Sequence, residues 1–265
     1  MSFLKFGDKG AAVKRLQRAL LDAGFDPGLI DGAFGAGTRA AVLAFQHSKG
    51  LVADGVAGPR TQSALGLTKS AKLPDATPRG TVQIATQMFP FTPLGNIKRH
   101  LPEVLAALKA DDIGDRLMVL MALATIRAET ESFEPIPEGR SVFNTSPNGH
   151  PFDLYDNRVD LGNRGKPDGE RFKGRGFVQL TGRSNYRRIG KTLGLPLETQ
   201  PDLGVDPSSA ARILAAFLKS VEGPAKDALA LDNLPRARWL VNGGSHGLDR
   251  FTDAYRRGER LVAPD

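Results

Sequence analysis

Hydrophobic residues recur at helical spacing in two regions of this chain, and a stretch with almost none separates them. From Ala11 to Ala23, Val13, Leu16, Leu20 and Leu21 fall three and four apart. That spacing predicts an amphipathic helix stopped by Gly24. A second helix is predicted from about Gly37 to Ser48, with Val42 and Phe45 on its apolar side. The turn DGAFG (31–35) precedes it, and a near copy, DGVAG (54–58), follows it. Asp-Gly pairs make tight turns, because Gly supplies positive φ and Asp bonds its own backbone. Thr38 and Thr61 stand near the starts of the helices that follow, where a hydroxyl can satisfy free N–H groups. Turn plus helix is thus weakly repeated within the first 67 residues.

The segment 68–80, TKSAKLPDATPRG, has too few apolar residues to pack and reads as a linker. Beyond it, helical spacing returns. Leu101–Ala110 is expected to be helical with Pro102 in its first turn. Arg116–Glu131 is a stronger helix, with Leu117, Leu120, Leu123 and Ala124 as core candidates and its end set by Pro135. Asp206 or Ser208 can cap a helix carrying Ile213, Leu214, Phe217 and Leu218, and another runs from about Leu248 to Arg260. No segment alternates with period two for long; Phe177–Thr181 is the best candidate for a short strand. The polar stretch 139–176, rich in Gly, Pro, Asn and Asp, is long for a loop, and long loops are usually functional. The fold class expected is mainly α: a small three-helix domain (1–67), a linker (68–80) and a larger helical domain (81–265).

Composition narrows the chemistry. The 265 residues include no Cys, so disulfides, cysteine nucleophiles and thiolate metal sites are excluded. Four scattered His without an HExxH leave no metal site to name, and no cofactor is expected. No apolar run is long enough for a membrane span, so no stable membrane insertion is expected. The first residues carry no signal-peptide pattern, which predicts synthesis in a cytoplasm. A net charge of +7 points to an anionic partner: nucleic acid, a membrane surface or bacterial wall. With one Trp, three Tyr and no basic helix motif, nucleic acid is not expected. More than half of the excess lies before residue 86, although 164–191 is locally basic.

The glutamates are unevenly placed. Of nine, four fall between Glu129 and Glu138, the others of the cluster being Glu131 and Glu134. On a helix, Glu129 shares a side with Ala122 and Ile126 and is two residues, about 200°, from Glu131. A carboxylic acid at the edge of an apolar surface and at a helix C-terminus has its pKa raised, and can act as a general acid. Glu138 lies in polar loop, where a carboxylate stays ionised. Two carboxylates in contrasting environments suit glycosidic hydrolysis. The alternative is a solvated helix end.

Two resemblances sharpen this. Gly7, Gly10, Val13, Leu16, Gln17, Leu20, then Asp31, Gly32, Phe34, Gly35, Thr38, Ala41, Val42, Phe45, Gln46, then Asp54, Gly55, Gly58 and Thr61 resemble the bacterial peptidoglycan-binding domain of three-helix type. The strings AET (128–130), GRGFVQLTGRSNY (174–186) and VNGG (241–244) resemble the chitinase-like fold of glycoside hydrolase family 19, with lysozyme-type phage endolysins as the nearest likeness. Together the chain is similar to a modular phage endolysin. The resemblance implies Glu129 as general acid, Glu138 as second carboxylate and Thr181 as holder of the attacking water. It implies Gln179, Asn185, Tyr186 and Asn242 as substrate-cleft residues, and Arg250 as a further cleft residue. Glu131 and Glu134 remain rivals of Glu138. Ala128 stands where the chitinases have His, so the acid's immediate partner is open.

The implied reaction is hydrolysis of the β-1,4 glycan of peptidoglycan, as an inverting N-acetylmuramidase, with carboxylates about 6.5–9.5 Å apart. The rivals are an N-acetylmuramoyl-L-alanine amidase or peptidase, and a non-catalytic wall-binding protein. A monomer is expected, acting on periplasmic peptidoglycan after release through a separate holin-type pore.

Overall fold

The computed structural model describes residues 3–68 and 72–263. The chain divides into two compact units, Met1–Lys72 with Gly223–Asp232, and Leu73–Glu222 with Asn233–Asp265. Among the described residues it forms helices and isolated β-bridges, with no extended strand. It is mainly α, as the hydrophobic spacing predicts. No helix among the described residues is long and apolar enough to cross a membrane.

The first unit holds α1 (Ala11–Asp22), α2 (Ala36–Ser48) and α3 (Pro59–Ala64). Val13, Leu16, Leu20, Phe34, Val42 and Phe45 are buried together. Phe25 meets Phe45 edge-on at 5.5 Å, a favoured aromatic geometry. The turn repeat has a physical basis that is carried by glutamine. Gln17 Nε2 donates to Leu29 O, Ala33 O, Asp31 Oδ1 and Thr38 Oγ1, while its Oε1 accepts from Gly32 N at 2.8 Å. Gln46 repeats the pattern with Val56 O, Asp54 Oδ1, Thr61 Oγ1 and Gly55 N. Thr38 and Thr61 therefore do not cap their helices; their hydroxyls accept from buried amides. The N-caps are Gly35 and Gly58, without side-chain bonds.

In the second unit, α4 (Val82–Met88), α5 (Leu94–Ala110) and α6 (Arg116–Thr130) are followed by α7 (Asp153–Asp156), α8 (Asp168–Arg171) and α9 (Arg183–Leu193). Then come α10 (Pro207–Ala230), whose residues 223–230 are grouped with the first unit, α11 (Leu234–Asn242) and α12 (Leu248–Leu261). α6 is the central element: Met118 through Ile126 are all buried, with α4, α5, α11 and α12 against them. A helix apolar on every side belongs inside. Gly258 lets α12 approach closely, since a Cβ there would stand 2.6 Å from Leu120 Cδ2 and 2.8 Å from Met88 Cε.

Several sequence expectations are corrected. α5 starts at Leu94, so Pro102 lies in the helix interior and not in its first turn. α6 ends before Pro135: Glu131 and Phe133 take φ of 43° and 56°, and Phe133 turns inward between Phe89 and Phe177. Glu131 is thus a cap, not a helical residue. Residues 177–181 are not a strand. They close a tight turn in which Arg175 and Leu180 exchange backbone bonds of 3.3 and 2.9 Å. Of the expected linker, 69–71 lie outside the described residues, and 75–80 are packed. Asp75 bridges Asp115, Ala76 N donates to Gly114 O at 2.7 Å, and Ala76 is fully buried. Asp75 Oδ1 accepts from both the amide and the hydroxyl of Thr77, which makes a polar string into an ordered turn. The loop 139–176 is built from short pieces, α7, α8 and a 3₁₀ turn Val159–Leu161.

Candidate active site

Glu129 reaches the last turn of α6 with its side chain only 12% exposed. Burial raises its pKa, against the charge and hydrogen bond of Arg238 and the weaker influence of His246 and Arg250. Arg238, on α11, is completely buried and meets Glu129 Oε1 at 2.8 Å. Arg238 Nε donates to His246 O, and the same carbonyl accepts from Asn242 Nδ2 at 2.8 Å. Asn242 Oδ1 in turn accepts from Gly244 N. The turn 242–247 is thereby fixed against the end of α6. Gly247 completes it at φ +70°, where a Cβ would lie 3.1 Å from Ala128 O.

Glu138 stands across a cleft of about 460 Å³ whose lining includes both glutamates. Its position follows from backbone pairing: Glu138 N donates to Gly174 O, Gly176 N donates to Ile136 O, and Pro137 bridges Arg175. Three donors address its carboxylate. Asn144 Nδ2 and Tyr155 Oη reach Oε1, each at 2.9 Å, and Gly174 N reaches Oε2 at 3.0 Å. Tyr155 has its own pKa raised by burial and by the neighbouring Glu138 charge, so it stays a donor.

Thr181, Gln179, Asn185 and Asn242 also line the cleft. Thr181 Oγ1 donates to Gln179 O at 2.8 Å, which leaves its lone pairs as acceptors. Gln179, at φ 48°, commits its amide to Ile136 O and Gly176 O, and Asn185 Nδ2 donates to Thr181 O. These amides brace the turn under Thr181.

Two expected cleft residues lie elsewhere. Tyr186 is fully buried, its hydroxyl donating to Lys173 O and accepting from Arg175. Burial pushes its pKa up to about 12. Its place on α9 faces Phe172 in the core, so it supports the cleft floor without lining it. Arg250 does not line the cleft and ion-pairs with Glu131. Of the rivals to Glu138, Glu131 is engaged by Arg127 and Arg250, Glu134 by Arg99, and neither lines the cleft. Sequence reasoning missed Asn144, Tyr155, Arg238 and His246. The polar stretch 139–176 was the signal available for the first two; none marked Arg238. Among the described residues no three His, Cys, Asp or Glu side chains group as a metal site.

Comparison with known proteins gives matches of differing extent. Residues 9–65 match the family described as "Putative peptidoglycan binding domain". A "Glycosyl hydrolase family 19 domain-containing protein" of Haemophilus influenzae is 28% identical over 103 residues, 39% of this chain and 48% of that protein. The chain thus spans about half the length of that relative. Chitinase C from Streptomyces griseus, a solved structure, is 18% identical, with 76% of this chain and 85% of that one covered and a TM-score of 0.49. The Burkholderia AP3 phage endolysin is 22% identical, with 98% and 99% covered and a TM-score of 0.26. Residues 9–65 of this chain thus match the peptidoglycan-binding domain family, and part of the chain is similar to a glycoside hydrolase family 19 domain-containing protein.

Proposed function

We propose that this protein hydrolyses the β-1,4-linked glycan of peptidoglycan, as an inverting N-acetylmuramidase. The observation that carries this reading is the pairing of Glu129 and Glu138 on one cleft in opposite settings. Glu129 is buried, with its pKa raised by that burial; Glu138 is an acceptor wired to three donors. In the reaction, Glu129 gives its proton to the glycosidic oxygen as the C1–O bond breaks. Glu138 takes a proton from a water on the opposite face of the sugar, and the remaining hydroxide bonds to C1. The free lone pairs of Thr181 accept the other proton of that water as a hydrogen bond and orient it. The products are one glycan end with an inverted reducing sugar and one with a free hydroxyl, and Glu129 and Glu138 have exchanged protonation states.

The binding module serves this chemistry by keeping the enzyme on an insoluble polymer. A +7 chain suits a wall that bears peptide carboxylates. The protein would be made in a bacterial cytoplasm, reach periplasmic peptidoglycan through a separate holin-type pore, and work as a monomer without cofactor. Incubation with purified sacculi tests the reading: new reducing ends should form with the α anomer first, and EDTA should not slow them. Release of peptides with the glycan intact would instead place the protein among amidases or peptidases.

A further inference from the structure

We infer that Arg238 is the positioning residue for Glu129, holding its carboxyl toward the cleft and receiving the negative charge left on it when its proton is given up. This rests on the reading of Glu129 as the acid. An arginine with no exposed surface is rare, because a buried charge is costly unless paired. Here the guanidinium meets Glu129 at 2.8 Å, and its terminal nitrogens find no other hydrogen-bond acceptor among the described residues. Only Nε is otherwise committed, to His246 O. A guanidinium cannot shed its proton to escape this position.

The remaining surroundings are built to keep it there. Asn242 shares the His246 carbonyl and fixes the turn, and Gly247 lets that turn lie on Ala128, the residue preceding the acid. Helix α11, the 242–247 turn and the end of α6 therefore form one packed assembly around the contact between Arg238 and Glu129. The charged or titratable groups acting on Glu129 are Arg238 from α11, His246 from the turn and Arg250 from α12, and Arg250 is engaged by Glu131. Burial raises the Glu129 pKa and so favours its protonated form, against the pull of Arg238. After transfer the buried group is an anion, and Arg238 is the cation in contact with it. The interaction is therefore stronger in the charge-developing state than in the ground state, which is the condition for lowering a barrier.

Arg238→Met and Arg238→Lys test this on soluble uncross-linked peptidoglycan chains. Arg238→Met should lower kcat by roughly tenfold to a hundredfold with KM within about twofold. The alkaline limb of the kcat/KM profile should move to higher pH, since the cation favouring ionisation is gone. A carbon-13 titration of the Glu129 carboxyl, which needs no activity, should move the same way. Arg238→Lys keeps the charge and loses the fork, so the limb should stay while kcat falls about tenfold. Wild-type kcat and limb in Arg238→Met would overturn the inference. Should that variant not fold, Arg238→Lys decides, and unchanged kcat there overturns it. Activity retained in Glu129→Gln would instead sink the acid assignment itself.

Discussion

A general acid is useful only if its proton is still present when substrate arrives and can leave when the bond breaks. In the proposed mechanism, burial in the wall of α6 serves the first condition by raising the Glu129 pKa, and contact with Arg238 serves the second. Glu129→Gln should lower glycan cleavage by at least about a thousandfold while binding to purified sacculi, measured by co-sedimentation, is unchanged. Glu138 depends on its three donors, and removing one should cost rate without emptying the site. Tyr155→Phe is expected to lower kcat about tenfold and leave the melting temperature nearly constant. Glu129, Glu138, Thr181, Gln179, Asn185 and Asn242 were legible as cleft residues because they sit in short strings whose spacing is local. Tyr186 was misplaced by the same strings: a tyrosine reads alike whether it faces a cleft or donates to Lys173 O in the core. Tyr155, Asn144 and Arg238 were not legible. The polar stretch 139–176 marked the region of Asn144 and Tyr155 but not these residues, and Arg238 reaches Glu129 across 109 residues of chain, through folding that no local pattern encodes.

Elements followed the hydrophobic spacing well where one face is apolar, as in α1, α2 and α12, and less well where side-chain bonds decide. α6 could be placed from sequence, but its end could not, because Phe133 is drawn inward between two aromatic rings before Pro135 acts. Residues 75–80 read as tether because their order comes mainly from Asp75 and Thr77 bonds and the Ala76–Gly114 backbone bond, with Ala76 the one apolar side chain fully buried. The same logic gives two predictions. Gln46→Ala leaves Gly55 N and Thr61 Oγ1 without their buried partner. It should destabilise the first unit by about 2–3 kcal/mol, read by chemical denaturation, and weaken sacculus binding. Gly247→Ala forces a Cβ into a left-handed position against Ala128 O. It should cost about 1–2 kcal/mol and lower kcat by moving the turn that holds Arg238.

At the scale of the whole molecule, charge has two separate uses. The bulk excess suits residence on an anionic polymer, while fixed pairs hold the second unit together. Glu198 accepts from Arg183 and Arg187, and these bonds bring its pKa down to about 2. Because the folded value lies below the ordinary 4.5, this group stabilises the fold above that pH. The benefit is lost as pH falls from about 4.5 toward 2. The melting temperature should drop over that window, and less so in Glu198→Gln. Identity of the bond cut is the point on which the account stands. Mass spectrometry of sacculi digested by the wild-type protein and by Glu129→Gln tests it most directly. Muropeptides ending in reducing N-acetylmuramic acid are expected from the wild type and none from the variant. Intact glycan with severed peptides, or equal digestion by both proteins, would contradict it.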